Sequence, residues 1–314
     1  MGGETPRGSG LDGLGVPVSL APMEARTAAQ LPAGPEWQFE PKWDGFRCLA
    51  FRAGDAVEVR GKSGKSLARY FPEVALNLRA LPAKGFVLDG ELVLERDGTL
   101  SFDALQMRLH PAESRIARLS RETPATLVLF DCLLDRPGRP LLALPFAERR
   151  RALEDLLAGR EPAGMRLTPF TRDLGTARRW LAGGDARSDG VMAKRLDLPY
   201  RPGERAMLKV KRLRTADCVV GGFRYETAGR QVGSLLLGLY DADGLLHHVG
   251  FTSGIAARDK PALTARLEAL IAAPGFTGDA PGGPSRWSTE RSADWQPLRP
   301  ELVVEVRYDH VTGG

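Results

Sequence analysis

Lys42-Trp43-Asp44-Gly45-Phe46-Arg47 is the most informative stretch of this 314-residue chain. Alone, a Lys-x-Asp-Gly tetrad indicates little more than a solvated lysine before a turn. Here four further segments follow it in order: Leu88-Asp89-Gly90-Glu91, Leu129-Phe130-Asp131, Asp189-Gly190-Val191-Met192-Ala193-Lys194 and Leu208-Lys209-Val210-Lys211. Together they supply a nucleophilic amine, carboxylates for a metal ion and a ribose, an aromatic face for a base, and cations for phosphates. Nucleotidyl transfer needs this combination of groups.

The composition is that of a globular protein with a mild basic excess. Hydrophobic residues make up 43% and charged residues 26% of the chain, and the formal net charge is +5. That charge suits a polyanionic partner, although a general bias towards arginine would produce it equally well. Cys48, Cys132 and Cys218 lie far apart in apolar runs, which predicts buried, reduced thiols. The four histidines form no HExxH pattern, and no apolar run is long enough for a membrane span, so neither a zinc enzyme nor a membrane protein is expected.

The hydrophobic pattern predicts two domains of the α+β and β classes. Residues 1–15 are rich in glycine and form a flexible leader, and residues 16–212 form a domain of antiparallel sheets with flanking helices. The strands predicted there are 47–51, 57–60, 86–88, 92–94 and 127–130, and the helices are 70–81, 146–157 and 173–181. A tight Asp89-Gly90 turn is predicted between two of these strands.

The second predicted domain covers residues 213–314 and is mostly β. Its predicted strands include 218–223, 234–240, 247–251 and 302–308, and one helix is predicted over 260–273. Five short strands around one helix are typical of an OB-fold, a small Greek-key barrel that often binds nucleic acid.

The ordered motifs resemble those of the covalent nucleotidyltransferases, and specifically the ATP-dependent DNA ligases of bacterial end joining and repair. The stretches Phe39–Gly45, Arg69–Glu73 and Asp217–Phe223 are also similar to that group. The resemblance implies an adenylation domain followed by an OB-fold. It implies an enzyme that seals 5′-phosphate/3′-hydroxyl breaks in duplex DNA through a lysyl-AMP and a DNA-adenylate, with ATP and Mg²⁺ or Mn²⁺ as cofactors.

The same resemblance implies the partners and the location. Nicked or broken duplex DNA is the expected partner, together with end-joining or repair proteins. The chain is expected to be a monomer without a membrane association. A cytoplasmic bacterial protein, associated with the nucleoid while bound to DNA, is expected.

The resemblance also assigns roles to residues in the first three motifs. Lys42 is the nucleophile, and neighbouring cations would favour its neutral form. Arg47 contacts the ribose and later the phosphate at the nick, and Glu40 lies against the adenine, although an exposed acid would fit its position nearly as well. Glu91 holds the ribose hydroxyls or the metal ion. Phe130 stacks on the adenine.

The remaining motifs provide the metal ligand and the phosphate contacts. Asp189 is a metal ligand in the resemblance, because hard cations prefer oxygen donors. Lys194 faces the phosphates from the same strand. Lys209 and Lys211 alternate on one strand and point to one face, towards the triphosphate, and Arg205 is a further nucleotide contact.

Two departures from the family pattern stand out. Gly61-Lys62-Ser63-Gly64 replaces the usual Ser-Arg-x-Gly, so Lys62 takes the place of an arginine unless Arg60 assumes that role. The basic motif expected after residues 302–306 does not appear before the sequence stops at Gly314. Without it, adenylation from ATP is expected to be weaker than the joining of DNA that is already adenylated.

Other functions remain open from the sequence. An RNA ligase or an mRNA-capping guanylyltransferase also uses Lys-x-Asp-Gly and a lysyl-nucleotide. A non-catalytic DNA-binding module is a more remote alternative, because such a module does not need Lys42, Glu91 and Asp189 in this order.

Overall fold

The computed structural model describes residues 10–96, 98–135, 139–158, 162–184, 188–282 and 294–308. The chain divides into two compact units, the first ending at Arg212 and the second beginning at Leu213. Residues 1–9 of the predicted leader and residues 309–314, which precede the expected place of the basic motif, lie outside the described residues. No helix in the described part of the chain is long and apolar enough to cross a membrane.

The first unit has an α+β architecture. Its strands are β1 (Ala25–Thr27), β2 (Trp37–Pro41), β3 (Phe46–Ala53), β4 (Ala56–Gly61), β5 (Gly85–Val93), β6 (Glu95–Arg96), β7 (Thr99–Leu100), β8 (Thr126–Leu134), β9 (Met165–Leu167), β10 (Gly190–Arg195) and β11 (Met207–Lys211). Its helices are α1 (Pro72–Ala80), α2 (Phe102–Gln106), α3 (Glu113–Glu122), α4 (Phe146–Leu157) and α5 (Leu174–Arg179). The strands form a four-stranded sheet of order β1-β11-β10-β2, a five-stranded sheet of order β4-β3-β5-β8-β9, and a β6-β7 hairpin.

The prediction of purely antiparallel sheets is wrong, because both larger sheets are mixed. β1 runs parallel to β11, and β9 runs parallel to β8. Helix α4 lies between β8 and β9 in the sequence, so this connection is a crossover, which parallel pairing requires. The predicted strands 47–51 and 57–60 are confirmed as β3 and β4, which pair antiparallel and are joined by a turn at Gly54-Asp55.

The predicted turn at Asp89-Gly90 is also wrong, because both residues lie inside the continuous strand β5. Gly90 pairs with Cys48 on one side, and the register with β8 shifts between Asp89 and Gly90 on the other. A Cβ at Gly90 would lie 2.7 Å from the Val128 carbonyl oxygen. Gly90 therefore permits a close approach of two strands at an irregularity instead of making a turn.

Helices pack on the five-stranded sheet through faces that the sequence spacing predicts. Phe71, Val74, Leu78 and Leu81 are all buried, as expected for one face of the 70–81 segment, and α1 itself begins at Pro72. Helix α4 is anchored by Arg149, whose Nε and Nη2 donate to the two carboxylate oxygens of Asp131 at 2.8 and 2.9 Å. Both side chains of this pair are buried, so removing either one would leave an unpaired charge at a cost of about 3–5 kcal/mol.

The described residues of the second unit form a curled sheet and a helix. Its elements are β12 (Arg214–Tyr225), β13 (Val232–Tyr240), β14 (Leu246–Thr252), α6 (Lys260–Glu268), β15 (Gln296–Pro297) and β16 (Val303–Tyr308). The sheet order is β14-β13-β12-β15, and β16 pairs with β12 as well. Within the described residues β14 pairs only with β13, so the closed barrel predicted from the sequence is not formed there. The helix ends at Glu268 and is shorter than the predicted 260–273.

Candidate nucleotide-binding site

A cavity of about 250 Å³ is lined by residues from both larger sheets of the first unit. Its lining contains most of the side chains that the sequence motifs single out, namely Glu40, Lys42, Arg47, Lys62, Glu91, Phe130, Lys194 and Lys209. The five sequence segments therefore converge on one place, because their strands are neighbours in the two sheets.

Lys42 is fixed where β2 meets the start of β10. Its backbone N–H donates to Gly190 O, and its carbonyl accepts from the Asp189 N–H, both at 2.9 Å. The Lys42 Nζ lies 3.4 Å from Asp189 Oδ2, and the side chain keeps 18% of its surface exposed. A Cβ at Gly45 would collide with the Leu92 carbonyl oxygen, so the glycine of the motif allows the chain to leave the lysine and enter β3. The amine is thus held in place and remains accessible.

Arg47 is held by the carboxylate of Asp89, a residue that the sequence analysis placed only in a turn. Its Nε and Nη2 donate to the two oxygens of Asp89 at 2.6 and 2.7 Å, and Nη2 also reaches Met23 O at 3.3 Å. The Arg47 guanidinium lies 4.5 Å from the centre of the Phe130 ring. Burial lowers the pKa of Arg47, but Asp89 and the neighbouring acids outweigh it and raise the pKa overall. The structure places Arg47 as a fixed cation in the cavity wall.

Glu40 and Lys194 form a buried ion pair beside the same aromatic ring. The Lys194 Nζ lies 2.6 Å from Glu40 Oε2 and 4.2 Å from the centre of the Phe130 ring. Glu40 is 2% exposed, so the alternative of an exposed acid is wrong. The contacts of Lys194 are with Glu40 and Phe130, and its role at the phosphates stays a prediction. Burial, partly offset by Glu40, lowers the pKa of Lys194, and no well-aligned hydrogen bond engages its buried Nζ.

A second group of cations lies around Lys209. Burial, followed by Lys211 and Lys42, lowers the pKa of Lys209. Lys211 is two residues further along β11 and therefore points to the same face. Lys62 lines the cavity with its Nζ 3.1 Å from Glu24 Oε1. Arg205 is 74% exposed, and its Nε lies 3.9 Å from Glu24 Oε2.

The carboxylates beside Lys42 are suitable for a hard cation that also binds phosphates. Burial raises the pKa of Glu91 to about 7, although Arg47 and Lys42 act in the opposite direction. Asp189 contacts Lys42 directly. Among the described residues no group of three His, Cys, Asp or Glu side chains is arranged as a metal cage. Two carboxylates still fit Mg²⁺, which is usually held by one or two carboxylates together with substrate phosphates and water.

Comparison with known proteins agrees with this geometry. The family described as "ATP dependent DNA ligase domain" matches residues 22–211, and the "ATP dependent DNA ligase C terminal region" matches residues 228–314. The chain belongs to the ATP-dependent DNA ligase family. Its relatives include DNA ligase C2 of Mycolicibacterium smegmatis, with 46% identity over 94% of this chain and 86% of that protein.

Two further similar proteins have names that mention end joining and ATP. The multifunctional non-homologous end joining protein LigD of Mycobacterium bovis is 33% identical over 94% of this chain and 37% of that protein. A solved structure of mycobacterial DNA ligase D complexed with ATP and MES has a TM-score of 0.50 and 29% identity, covering 94% of this chain and 91% of that one.

Several residues that line the cavity or support its wall received no role from the sequence. Met23 lines the cavity from outside the five motifs, and Met207 lines it from the position directly before the last motif. Trp43 lies within the first motif, and its Nε1 donates to Thr168 Oγ1 at 2.8 Å, which orients the indole in the wall. Tyr200 donates to Asp89 from a segment 111 residues away. Long-range contacts of this kind are invisible to motif spacing.

Proposed function

We propose that this ligase seals nicked or broken duplex DNA with Lys42 as the nucleophile, in the repair of DNA ends. The observation that carries the proposal is the position of the Lys42 amine. It is accessible at a cavity that Phe130, Lys209 and Glu91 also line, and it lies 3.4 Å from Asp189 Oδ2. The similarity to a ligase solved with ATP supports the nucleotide, and the similarity to an end-joining protein supports the repair context.

The reaction follows in three displacements at phosphorus. In the first, the neutral Lys42 amine bonds to the α-phosphorus of ATP, the bond to the bridging oxygen breaks, and pyrophosphate leaves. In the second, an oxygen of a DNA 5′-phosphate attacks the phosphorus of lysyl-AMP, and Lys42 regains its amine. In the third, the adjacent 3′-hydroxyl attacks the 5′-phosphorus and AMP leaves. Each displacement depends on positioning and charge neutralisation, which cations and carboxylates provide.

We propose that different residues in and around the cavity bind the adenine, the ribose and the phosphates. We assign the adenine to Phe130 with Glu40 and Lys194, and the ribose to Arg47 and Glu91. We assign the phosphates to Lys209, Lys211, Lys62 and Arg205. Glu91 and Asp189 would hold Mg²⁺ or Mn²⁺, which neutralises phosphate charge when bound.

The two units are proposed to correspond to two working domains. Residues 16–212 would form the adenylation domain. Residues 213–314 would form an OB-fold that binds the duplex, because the family match to a ligase C-terminal region and the curled sheet are consistent with that fold. The +5 net charge is suitable for contact with a DNA backbone.

The mass of the protein after incubation with ATP and a divalent cation tests this proposal. We expect an AMP adduct on a peptide containing Lys42, little adduct with GTP, and sealing of nicked DNA in preference to nicked RNA. Lys42→Ala should abolish both adduct and sealing. Lys84→Ala removes an exposed lysine outside the cavity and is the matched control. Sealing of ordinary nicks by Lys42→Ala above background would refute the assignment.

A further inference from the structure

Tyr200 is a buried hydroxyl that the proposed reaction does not use. Its side chain is 4% exposed, in a core cluster with Met23, Val87 and Met207, and it faces the fully buried Asp89. The Tyr200 hydroxyl donates to Asp89 Oδ2 at 2.7 Å and accepts from the Met23 N–H at 2.8 Å. Burial, followed by Asp89, raises the pKa of Tyr200, so the hydroxyl keeps its proton and remains a donor.

These hydrogen bonds close into a ring that contains Arg47. The Met23 N–H donates to Tyr200, whose hydroxyl donates to Asp89. Asp89 accepts two bonds from Arg47, and Arg47 Nη2 donates back to the Met23 carbonyl at 3.3 Å. Both the backbone N–H and the carbonyl of Met23 therefore take part in the ring. The ring ties the segment before β1 to β3 and β5.

The ring borders the cavity on one side and the core on the other. Met23 and Arg47 line the cavity, and the Arg47 guanidinium lies against Phe130. Asp89 and Tyr200 do not line it. The bidentate grip of Asp89 sets the direction of the guanidinium, because the planar fork fits a carboxylate in few orientations. The hydroxyl of Tyr200 in turn occupies Asp89 Oδ2, which leaves this carboxylate little freedom to rotate.

We propose that Tyr200 is a positioning residue for Arg47. Through Asp89 it fixes the guanidinium, and through Met23 it fixes the cavity wall beside it, so that the nucleotide meets a preorganised cation. This role rests on the proposed function, since it assigns Arg47 to the ribose and the nick phosphate.

Removing the hydroxyl alone tests the proposal. Tyr200→Phe keeps the ring in the core but deprives Asp89 of a donor and leaves the buried Met23 N–H without its partner. In single-turnover formation of lysyl-AMP by the full chain, we expect the rate at low ATP concentration to fall roughly tenfold to a hundredfold, the range for one hydrogen bond to a charged group. In an Arg47→Lys background the same substitution should cost much less, because residues that act through one another are not additive.

The matched control is Tyr225→Phe. Tyr225 also donates its hydroxyl to a carboxylate, Glu268 Oε1 at 2.9 Å, but lies in the second unit. We expect this variant to form lysyl-AMP at the unsubstituted rate.

The possible outcomes separate the two proposals. If the unsubstituted protein forms no lysyl-AMP, the proposed function fails and this role fails with it. If that protein is active, then an unchanged rate in Tyr200→Phe, or losses that add in full with Arg47→Lys, overturns the positioning role alone. A Tyr200→Phe chain that loses its circular dichroism signal or melts before the assay temperature also overturns it, because the hydroxyl would then serve only the fold.

Discussion

Individual charged residues in this ligase are fixed by partners that are themselves buried. Lys194 is paired with Glu40, and Arg47 is paired with Asp89, while Lys42 keeps part of its surface open beside Asp189. The buried pairs favour one rotamer each, because a buried charge that leaves its partner loses several kcal/mol. Lys42 is more exposed than Lys194, and it is the residue proposed to react with the nucleotide. The cavity thus combines buried, paired charges with the accessible amine of Lys42.

Lys62 provides a prediction about the departure from the usual arginine. Its side chain is 61% exposed and contacts Glu24. We expect Lys62→Arg to leave nick sealing unchanged or make it up to roughly tenfold faster, because a guanidinium can hold Glu24 and a phosphate with better geometry. Multiple-turnover sealing rates would measure this. Lys65→Arg, in the same turn, is the control and should leave the rate of nick sealing unchanged. A large loss of sealing rate in Lys62→Arg would mean that Gly61–Gly64 is not the equivalent of the family motif.

Glu91 predicts the pH dependence of adenylation. Its pKa is raised to about 7, so the carboxylate needed for a ribose or a metal ion forms only as pH rises through that value. We expect kcat/KM for lysyl-AMP formation to increase about tenfold per pH unit below 7 and to level off above it. Glu91→Gln should be slow with a flat profile in this range. An unsubstituted enzyme whose profile is flat between pH 5.5 and 8 would contradict the assignment.

The raised pKa of Glu91 also predicts that the folded chain loses stability as pH rises. A carboxyl group with a raised pKa binds its proton more tightly in the folded chain than in the unfolded chain. Ionising Glu91 therefore costs folding free energy as pH rises from its ordinary value of 4.5 to about 7. Glu91→Gln is expected to reduce this pH dependence, and urea unfolding at pH 5 and pH 8 would measure it.

Sequence motifs predict which residues lie together at the cavity, but they do not predict how the side chains are oriented. Glu40, Lys42, Arg47, Glu91 and Phe130 were found by motif, and the structure brings them to one cavity, while their roles stay predictions. The direction of a side chain depends on partners from distant segments, as with Lys194, whose Nζ lies 2.6 Å from Glu40 Oε2. Spacing along the chain does not encode such partners.

Strand β5 contains one glycine that close packing requires, Gly90, and one that it does not, Gly85. A methyl group at Gly90 would meet Val128 O at 2.7 Å and Leu127 Cδ1 at 3.0 Å, whereas at Gly85, in the same strand, it would meet nothing within 4 Å. The two positions form a matched pair of substitutions.

We expect Gly90→Ala to destabilise the first unit by about 1–3 kcal/mol, because overpacking forces the β5 and β8 backbones apart. Gly85→Ala should be neutral or stabilise by about 0.4–1 kcal/mol, since it only restricts the unfolded chain. Thermal or urea unfolding of the two variants measures the difference. Equal stabilities would mean that the strands adjust freely at the register shift.

Elements with a clear hydrophobic period were predictable, and polar or short elements were not. Helix α4 has the predicted bounds of 146–157, because apolar residues recur along one face. Helix α3 was missed, since only Ile116 of its ten residues is buried and little apolar signal remains. The parallel strands β1 and β9 have three residues each, too few to show a period. The prediction of a turn at Asp89-Gly90 failed because packing against β8 overrides the local preference.

At the scale of the whole molecule, the boundary between the two units falls directly after β11, the strand that carries Lys209 and Lys211. Each unit has its own apolar cluster of buried residues. The sequence suggested this division from the change to a mostly β pattern after residue 212. It did not reveal that the sheet of the second unit stays open in the described residues, because the number of predicted strands says nothing about closure.

The three buried thiols allow the unfolding of the two units to be measured separately. Cys48 and Cys132 belong to the core of the first unit, and Cys218 to that of the second. Burial raises the pKa of all three, so the reactive thiolate is scarce while a core is closed. In rising urea with an alkylating reagent, we expect Cys48 and Cys132 to be labelled together and Cys218 at its own midpoint. Labelling of all three at one midpoint would mean that the units open as one body. Each core thus contains its own cysteine probe of unfolding. The masses of the labelled peptides would show which of the two units unfolds at the lower urea concentration.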